Sequence, residues 1–178
     1  MASSPAITIL GVDPGIAITG YGIVRQNRDV LEAVAYGVIT TPAGWPLPRR
    51  LQHLHRELMA LMKAYYPVEA SVEELFFARN ARTALSVGQA RGVILLALAD
   101  AGLLTYEYTP LQVKQAITGY GRANKEQMQE MVRLLLQLEA VPRPDDAADA
   151  LAMAICHAHS RSTAERIARM DPSTGSGQ

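Results

Sequence analysis

The chain has 178 residues, a single cysteine, and 17 basic against 17 acidic side chains. That length suits one domain with one core and is too short for two large ones. With 49% apolar and 19% charged residues it is no disordered chain. One cysteine excludes an intramolecular disulfide. No apolar run is long enough for a bilayer and no signal-peptide pattern is present, so a cytoplasmic protein without membrane contact is expected.

Ile7 to Val12 is an apolar run that reads as a buried strand, and it ends on a lone carboxylate, Asp13. The following "PG" predicts a type II turn with Gly15 at positive φ. Ile18 to Arg25, carrying Gly20 and Gly22, and Val30 to Thr40 read as the next two strands of an antiparallel meander. "TPAGWPLP" stops the sheet. Arg50 to Tyr66 has helical spacing, with Leu51, Leu54, Leu58, Leu61 and Met62 on one face. Val68 to Leu75 is a fourth strand.

Asn80 to Ala101 reads as a helix on which Ala84, Gly88 and Gly92 recur every four residues. Such a face admits another backbone, either a second helix or the chain's own sheet. Leu103 to Tyr108 is a fifth strand. Thr109-Pro110 is a good cap and first residue for a helix to about Ile117. Lys125 to Leu138 is amphipathic, with Met128, Met131, Leu135 and Leu138 inward, and after "VPRPDD" a last helix is expected from Asp146 to about His159. Cys156 falls in that helix as a small core residue. A folded domain over 1–160 and a flexible tail over 161–178 follow. The fold class is α/β, with a five-stranded mixed sheet flanked by helices.

Charge is unevenly spread. Residues 75–135 hold seven basic side chains (among them Arg79, Arg82, Lys114 and Lys125) and four acidic ones, a local excess of three positive charges. Carboxylates gather elsewhere: Asp13 after the first strand, Glu73 and Glu74 at the fourth, and Asp145, Asp146 and Asp149 at the start of the last helix. Each has an ordinary reading as turn opener, solvated loop or helix-dipole partner. If the first and fourth strands are neighbours, the acids share one sheet edge, where ligands tend to gather. Asp149 shares a helix face with Asp146 and also with Asp145, so spacing does not choose between those two. Oxygen-only donors favour Mg²⁺ or Mn²⁺ over zinc. His53 and His55, like His157 and His159, are two apart on helices and form no ready clamp.

Four segments in order, "ILGVDPGIAITGYGIV", "VEELFFARNARTALSVGQARG", "VKQAITGYGRANKEQMQEMVRLLL" and "DDAADALAMAI", resemble the RuvC family of crossover junction endodeoxyribonucleases over about residues 7–159. The resemblance implies a ribonuclease H-like fold, a homodimer, two Mg²⁺ ions with Mn²⁺ as a substitute, and paired symmetric nicking of four-way (Holliday) junctions in recombination and repair. A junction-bound branch-migration helicase is the implied partner. By the same resemblance Asp13, Glu73, Asp146 and Asp149 are the metal-binding catalytic acids, Lys114 and Lys125 contact DNA, and Phe76 stacks on a base. Arg79 and Arg82 add to the DNA-binding charge. A nuclease for RNA–DNA hybrids and a non-catalytic junction binder are the competing readings.

Overall fold

The structure is a computed structural model that describes residues 5–74 and 81–170. Three strands come first: β1 (Ile7–Asp13), β2 (Ile18–Asn27) and β3 (Val30–Thr40). They are followed by α1 (Leu47–Tyr65), β4 (Glu69–Glu73), α2 (Ala81–Asp100), β5 (Leu104–Tyr108), α3 (Pro110–Thr118), α4 (Lys125–Leu135) and α5 (Asp145–Met170). The sheet order is β3-β2-β1-β4-β5. β1, β2 and β3 are antiparallel, as their turn signals predict, whereas β4 runs parallel to β1 and β5 parallel to β4.

Alternation along β1 sends its side chains to two different layers. Leu10 and Val12 face α1 and α2, where they meet Leu54, Leu58, Met62, Ile94 and Leu98. Ile9 faces the other layer, built by α3, α4 and α5 through Val113, Ile117, Val132, Leu151 and Ile155. Gly11 and Asp13 share the Ile9 face, and their partners across β2 are Gly22 and Gly20. A strip of glycine therefore leads up to Asp13 on the α5 side.

Helix α5 lies directly on this strip. A Cβ at Gly20 would collide with the Asp146 carbonyl oxygen and stand 3.2 Å from the Asp146 Cβ. One at Gly22 would lie 2.8 Å from the Leu151 nitrogen, and one at Gly11 would lie 2.7 Å from the Ala154 nitrogen. Side chains at these three positions would lift the helix off the sheet. The helix answers with small residues: Ala147, Ala150, Ala154 and Ala158 are all buried.

Four sequence expectations need correction. Gly15 is not in the left-handed region, because positive φ among the described glycines falls at Gly102 and Gly119. Gly15 is needed instead because the Ile18 carbonyl comes back against it, leaving no room for a Cβ. Helix α1 starts three residues early, since Pro48 fits the first turn, where amides have no helical partner. Helix α4 stops at Leu135 rather than Leu138. Gln137 turns left-handed at φ 53°, and the amides of Gln137 and Leu138 bond back to the carbonyls of Leu134 and Arg133. This is a Schellman closure, and it still returns Leu138 to the core.

The fourth correction concerns the end of the fold. Helix α5 continues through residues 161–170, where a tail was expected to begin. Gln26 of β2 donates to the Ala158 carbonyl and to Ser162, and Arg166 pairs with Asp29 at 2.7 Å. An Arg161–Glu165 pair supports the same turns. These contacts tie the extra turns to the β2–β3 hairpin.

Gly20→Ala tests the seating of α5. In an ordinary strand alanine would stabilise slightly. Here overpacking should cost about 1–3 kcal/mol and lower the melting temperature. An unchanged melt would show that the helix has slack above the strip.

Candidate active site

Parallel pairing of β1 with β4 aligns Val12 with Val72, so Asp13 and Glu73 leave the same end of adjacent strands. Along β4, Glu69, Ser71 and Glu73 alternate with Ala70 and Val72 of the α1–α2 layer, so Glu73 points to the α5 side with Asp13. Glu74 is exposed, and its amide closes onto the Tyr108 carbonyl at 2.9 Å. This alternation puts Glu73 rather than Glu74 on the side of Asp13. Arg91 of α2 donates from Nε to the Glu73 carbonyl at 3.2 Å and pairs with Glu107 of β5, which fixes the strand end.

A cleft of about 220 Å³ opens here. Its lining includes Asp13, Glu73, Asp149, Lys114, Lys125 and Val113. Asp146, in the first turn of α5 above Gly20, adds to the repulsion felt by Asp13. Burial, then the carboxylates of Glu73, Asp149 and Asp146, push the Asp13 carboxyl up to about 7, with Lys125 pulling the other way. Burial, followed by Asp149, raises Glu73. Partial burial also raises Asp149, against the opposing pull of Lys125. The acids are thus close enough to oppose the ionisation of Asp13, Glu73 and Asp149. Among the described residues no three such side chains stand close enough together to hold a metal ion as they are placed, and Asp146 lies outside the cleft lining.

The two lysines reach the cleft from different helices. Lys114 comes from α3, whose start is fixed by a capping box between Thr109 and Gln112. Lys125 opens α4 behind a second capping box, Asn124 with Gln127. Its ammonium lies 2.9 Å from Asp145 Oδ2 and 3.9 Å from Asp149 Oδ2. Asp145 also accepts from Gln129 Nε2 at 3.0 Å and from Arg143. These donors hold its carboxyl below the ordinary range, with the Lys125 bond the largest cause. Asp145 is therefore committed to α4, and Asp146 is the adjacent acid that acts on Asp13.

The expected aromatic contact, Phe76, lies outside the described residues, as do Phe77 and Arg79. Arg82 falls in the first turn of α2. Cys156 is buried as expected, and burial pushes its thiol up to about 11. The histidines take no part in the cleft. His157 donates from Nε2 to the Glu69 carboxylate at 2.7 Å and accepts at Nδ1 from the Tyr108 hydroxyl at 2.7 Å. Burial lowers its pKa, in keeping with a neutral ring. Sequence reasoning missed this anchor between α5 and β4. The available signal was Glu69 two strand turns before Glu73, on the same face.

Acids at the ends of neighbouring central strands, opposed by acids on a helix across them, define a nuclease of the ribonuclease H-like class. The model of the family described as "Crossover junction endodeoxyribonuclease RuvC" matches residues 9–157. The chain belongs to the RuvC family. A crossover junction endodeoxyribonuclease RuvC from Rubrobacter xylanophilus is 55% identical over 178 residues, covering 100% of this chain and 96% of that protein. A T. thermophilus RuvC, solved in complex with a Holliday junction substrate, superposes with a TM-score of 0.84 at 36% identity over 89% of this chain and 96% of that one. The yeast mitochondrial Holliday junction resolvase Ydc2 shares the fold at 16% identity, with a TM-score of 0.62 over 93% of this chain and 86% of that one.

The raised Asp13 pKa has a testable sign. A carboxyl raised from 3.8 to about 7 by folding makes the native state bind more protons than the unfolded state. Its ionisation therefore costs stability progressively as pH rises from about 4 to 7. In the presence of a chelator, Asp13→Asn should melt higher than the parent at pH 8 by roughly 2–4 kcal/mol, with the gain vanishing near pH 4. Equal melting curves at both pH values would show that Asp13 is not strained by its neighbours.

Proposed function

We infer that this protein is a structure-selective endodeoxyribonuclease that resolves four-way DNA junctions by paired symmetric nicks in recombination and repair. The supporting observation is the convergence of carboxylates from β1, β4 and α5 on one cleft that also carries Lys114 and Lys125, in a chain of this family.

The family is one of metal-dependent nucleases. We assign Asp13, Glu73, Asp146 and Asp149 as the catalytic ligands of two Mg²⁺ ions, replaceable by Mn²⁺. The residues fit this group. The cleft's charged donors are carboxylate oxygens, no histidine or cysteine is among its described lining residues, and the mutual repulsion of the acids is what divalent charge relieves. When bound, such ions supply Lewis-acid activation of water and neutralise the scissile phosphate. The protein supplies rigidity: two acids ride on hydrogen-bonded strand ends and two on the helix seated across them.

Lys114 and Lys125 stand beside the acids to receive phosphate oxygens, and Arg79 and Arg82 extend the same sequence-independent attraction. Phe76, three residues after Glu73, is assigned to stack on an unpaired base at the junction. We propose that the active form is a homodimer, because a four-way junction presents two equivalent strands. Its contact is α2, where a Cβ at Gly88 or Gly92 would meet nothing within 4 Å. On the same helix Leu85 and Leu96 stand 67% and 55% exposed. A branch-migration helicase on the junction, and action in the cytoplasm beside the chromosome, complete the proposal. No helix among the described residues is long and apolar enough to cross a membrane.

A synthetic four-way junction with Mg²⁺, and a linear duplex as control, tests this reading. The parent should nick the junction symmetrically and spare the duplex. Asp13→Asn should bind the junction with parental affinity and cut it about 10³-fold more slowly or worse, a loss of roughly 4 kcal/mol of transition-state stabilisation. Near-parental cutting by that variant would remove the metal assignment.

A further inference from the structure

We propose that Asp145 is a positioning residue that keeps Lys125 from closing on Asp149, which it meets only in a looser ion pair at 3.9 Å, and so leaves Asp149 able to take a divalent cation. The proposal rests on the assignment of Asp149 as a metal ligand.

The geometry is a choice between two carboxylates. Asp145 and Asp149 are four residues apart on α5 and share a face, so one ammonium can reach either. Lys125 is rooted at the first residue of α4, where the Asn124–Gln127 capping box fixes the backbone. Its Nζ sits at 2.9 Å from Asp145 and at 3.9 Å from Asp149. Asp145 is in turn held still. Gln129, buried and one turn after Lys125 on α4, donates to Oδ1 at 3.0 Å, and Arg143 donates to the same oxygen. One oxygen of Asp145 is thus tied to α4 and to the loop before α5, which leaves the other for Lys125. The carboxylate is committed to protein donors, unlike those of Asp13 and Glu73.

Without the Asp145 charge, Asp149 is the carboxylate left within reach of the ammonium. A lysine paired with Asp149 would compete with a cation for the same oxygens. Asparagine at position 145 keeps the shape and an oxygen for Gln129 while removing the charge that pairs with Lys125 and Arg143.

The test measures metal binding rather than cutting. The full chain, without DNA, is titrated with Mn²⁺ at fixed pH and salt, and free Mn²⁺ is followed by electron paramagnetic resonance. Parent, Asp145→Asn, Lys125→Gln, the double variant and Asp149→Asn are compared, forming a double-mutant cycle. Asp145→Asn should weaken Mn²⁺ binding about fivefold in the parent background, the scale of one exposed ion pair. In the Lys125→Gln background the same substitution should have no measurable effect. Equal weakening in both backgrounds would show that Asp145 acts as a bare charge or as a ligand, and overturns the proposal, as does no weakening in either. Unchanged Mn²⁺ binding by Asp149→Asn would overturn the metal assignment itself, a failure distinguishable from the other two.

Discussion

Backbone-to-backbone contact between α5 and the β1–β2 pair determines most of what this molecule can do. A helix packed on a sheet usually stands off by the thickness of the side chains between them. Here Gly11, Gly20 and Gly22 remove that layer, and the Asp146 carbonyl rests on the strand residue paired with Asp13. A valine at any of the three positions would raise the helix and separate the acids on it from those on the sheet. Glycine in a strand interior weakens the strand by itself, by about 0.5–1 kcal/mol relative to alanine. The fold accepts that cost where close approach is needed, and buries six alanines of α5 in return.

The helix is also anchored at the opposite end of β4. His157 bridges Glu69 and Tyr108, Tyr106 stacks on its ring at 4.3 Å, and Arg161 reaches the other Glu69 oxygen at 3.3 Å. Glu69 and Glu73 occupy the same face of one short strand and have opposite tasks. The first is neutralised by protein donors and fixes the helix. The second is left against other acids, and its ionisation is opposed. The same division separates Asp145, saturated with donors, from Asp149 on the next turn. Asp145 still repels Asp149, but its own charge is held by donors, whereas Asp13 and Glu73 face other acids.

Local signals in the sequence carried the elements well. Turn residues separated β1, β2 and β3, Thr109-Pro110 marked the start of α3, and the apolar run of β1 marked the centre of the sheet. Asp13 was readable because a lone carboxylate ends a buried strand. The role of the glycines was only half legible: their presence in a strand was plain, but close approach depends on which helix crosses them, a contact over more than 120 residues of chain. Gly15 misled because two physical needs, positive φ and lack of room, select the same residue. The length of α5 was underread because its last turns are held by Gln26 and Asp29 of a distant hairpin. Glu73 against Glu74 was a matter of strand alternation, and Asp145 against Asp146 depended on donors from α4, which spacing along one helix does not contain.

We propose that the helix seated on glycine brings Asp13, Glu73, Asp146 and Asp149 to a common cation site. The most direct measurement is anomalous diffraction at the manganese edge from crystals of the protein grown with Mn²⁺ and an uncleavable four-way junction. Manganese is expected between Asp13 and the acids of β4 and α5, with Asp13 bonded to metal and Asp145 still bonded to Lys125 or Gln129. Manganese bound away from Asp13, or Asp146 and Asp149 both turned from the metal with α5 seated as described, would contradict it.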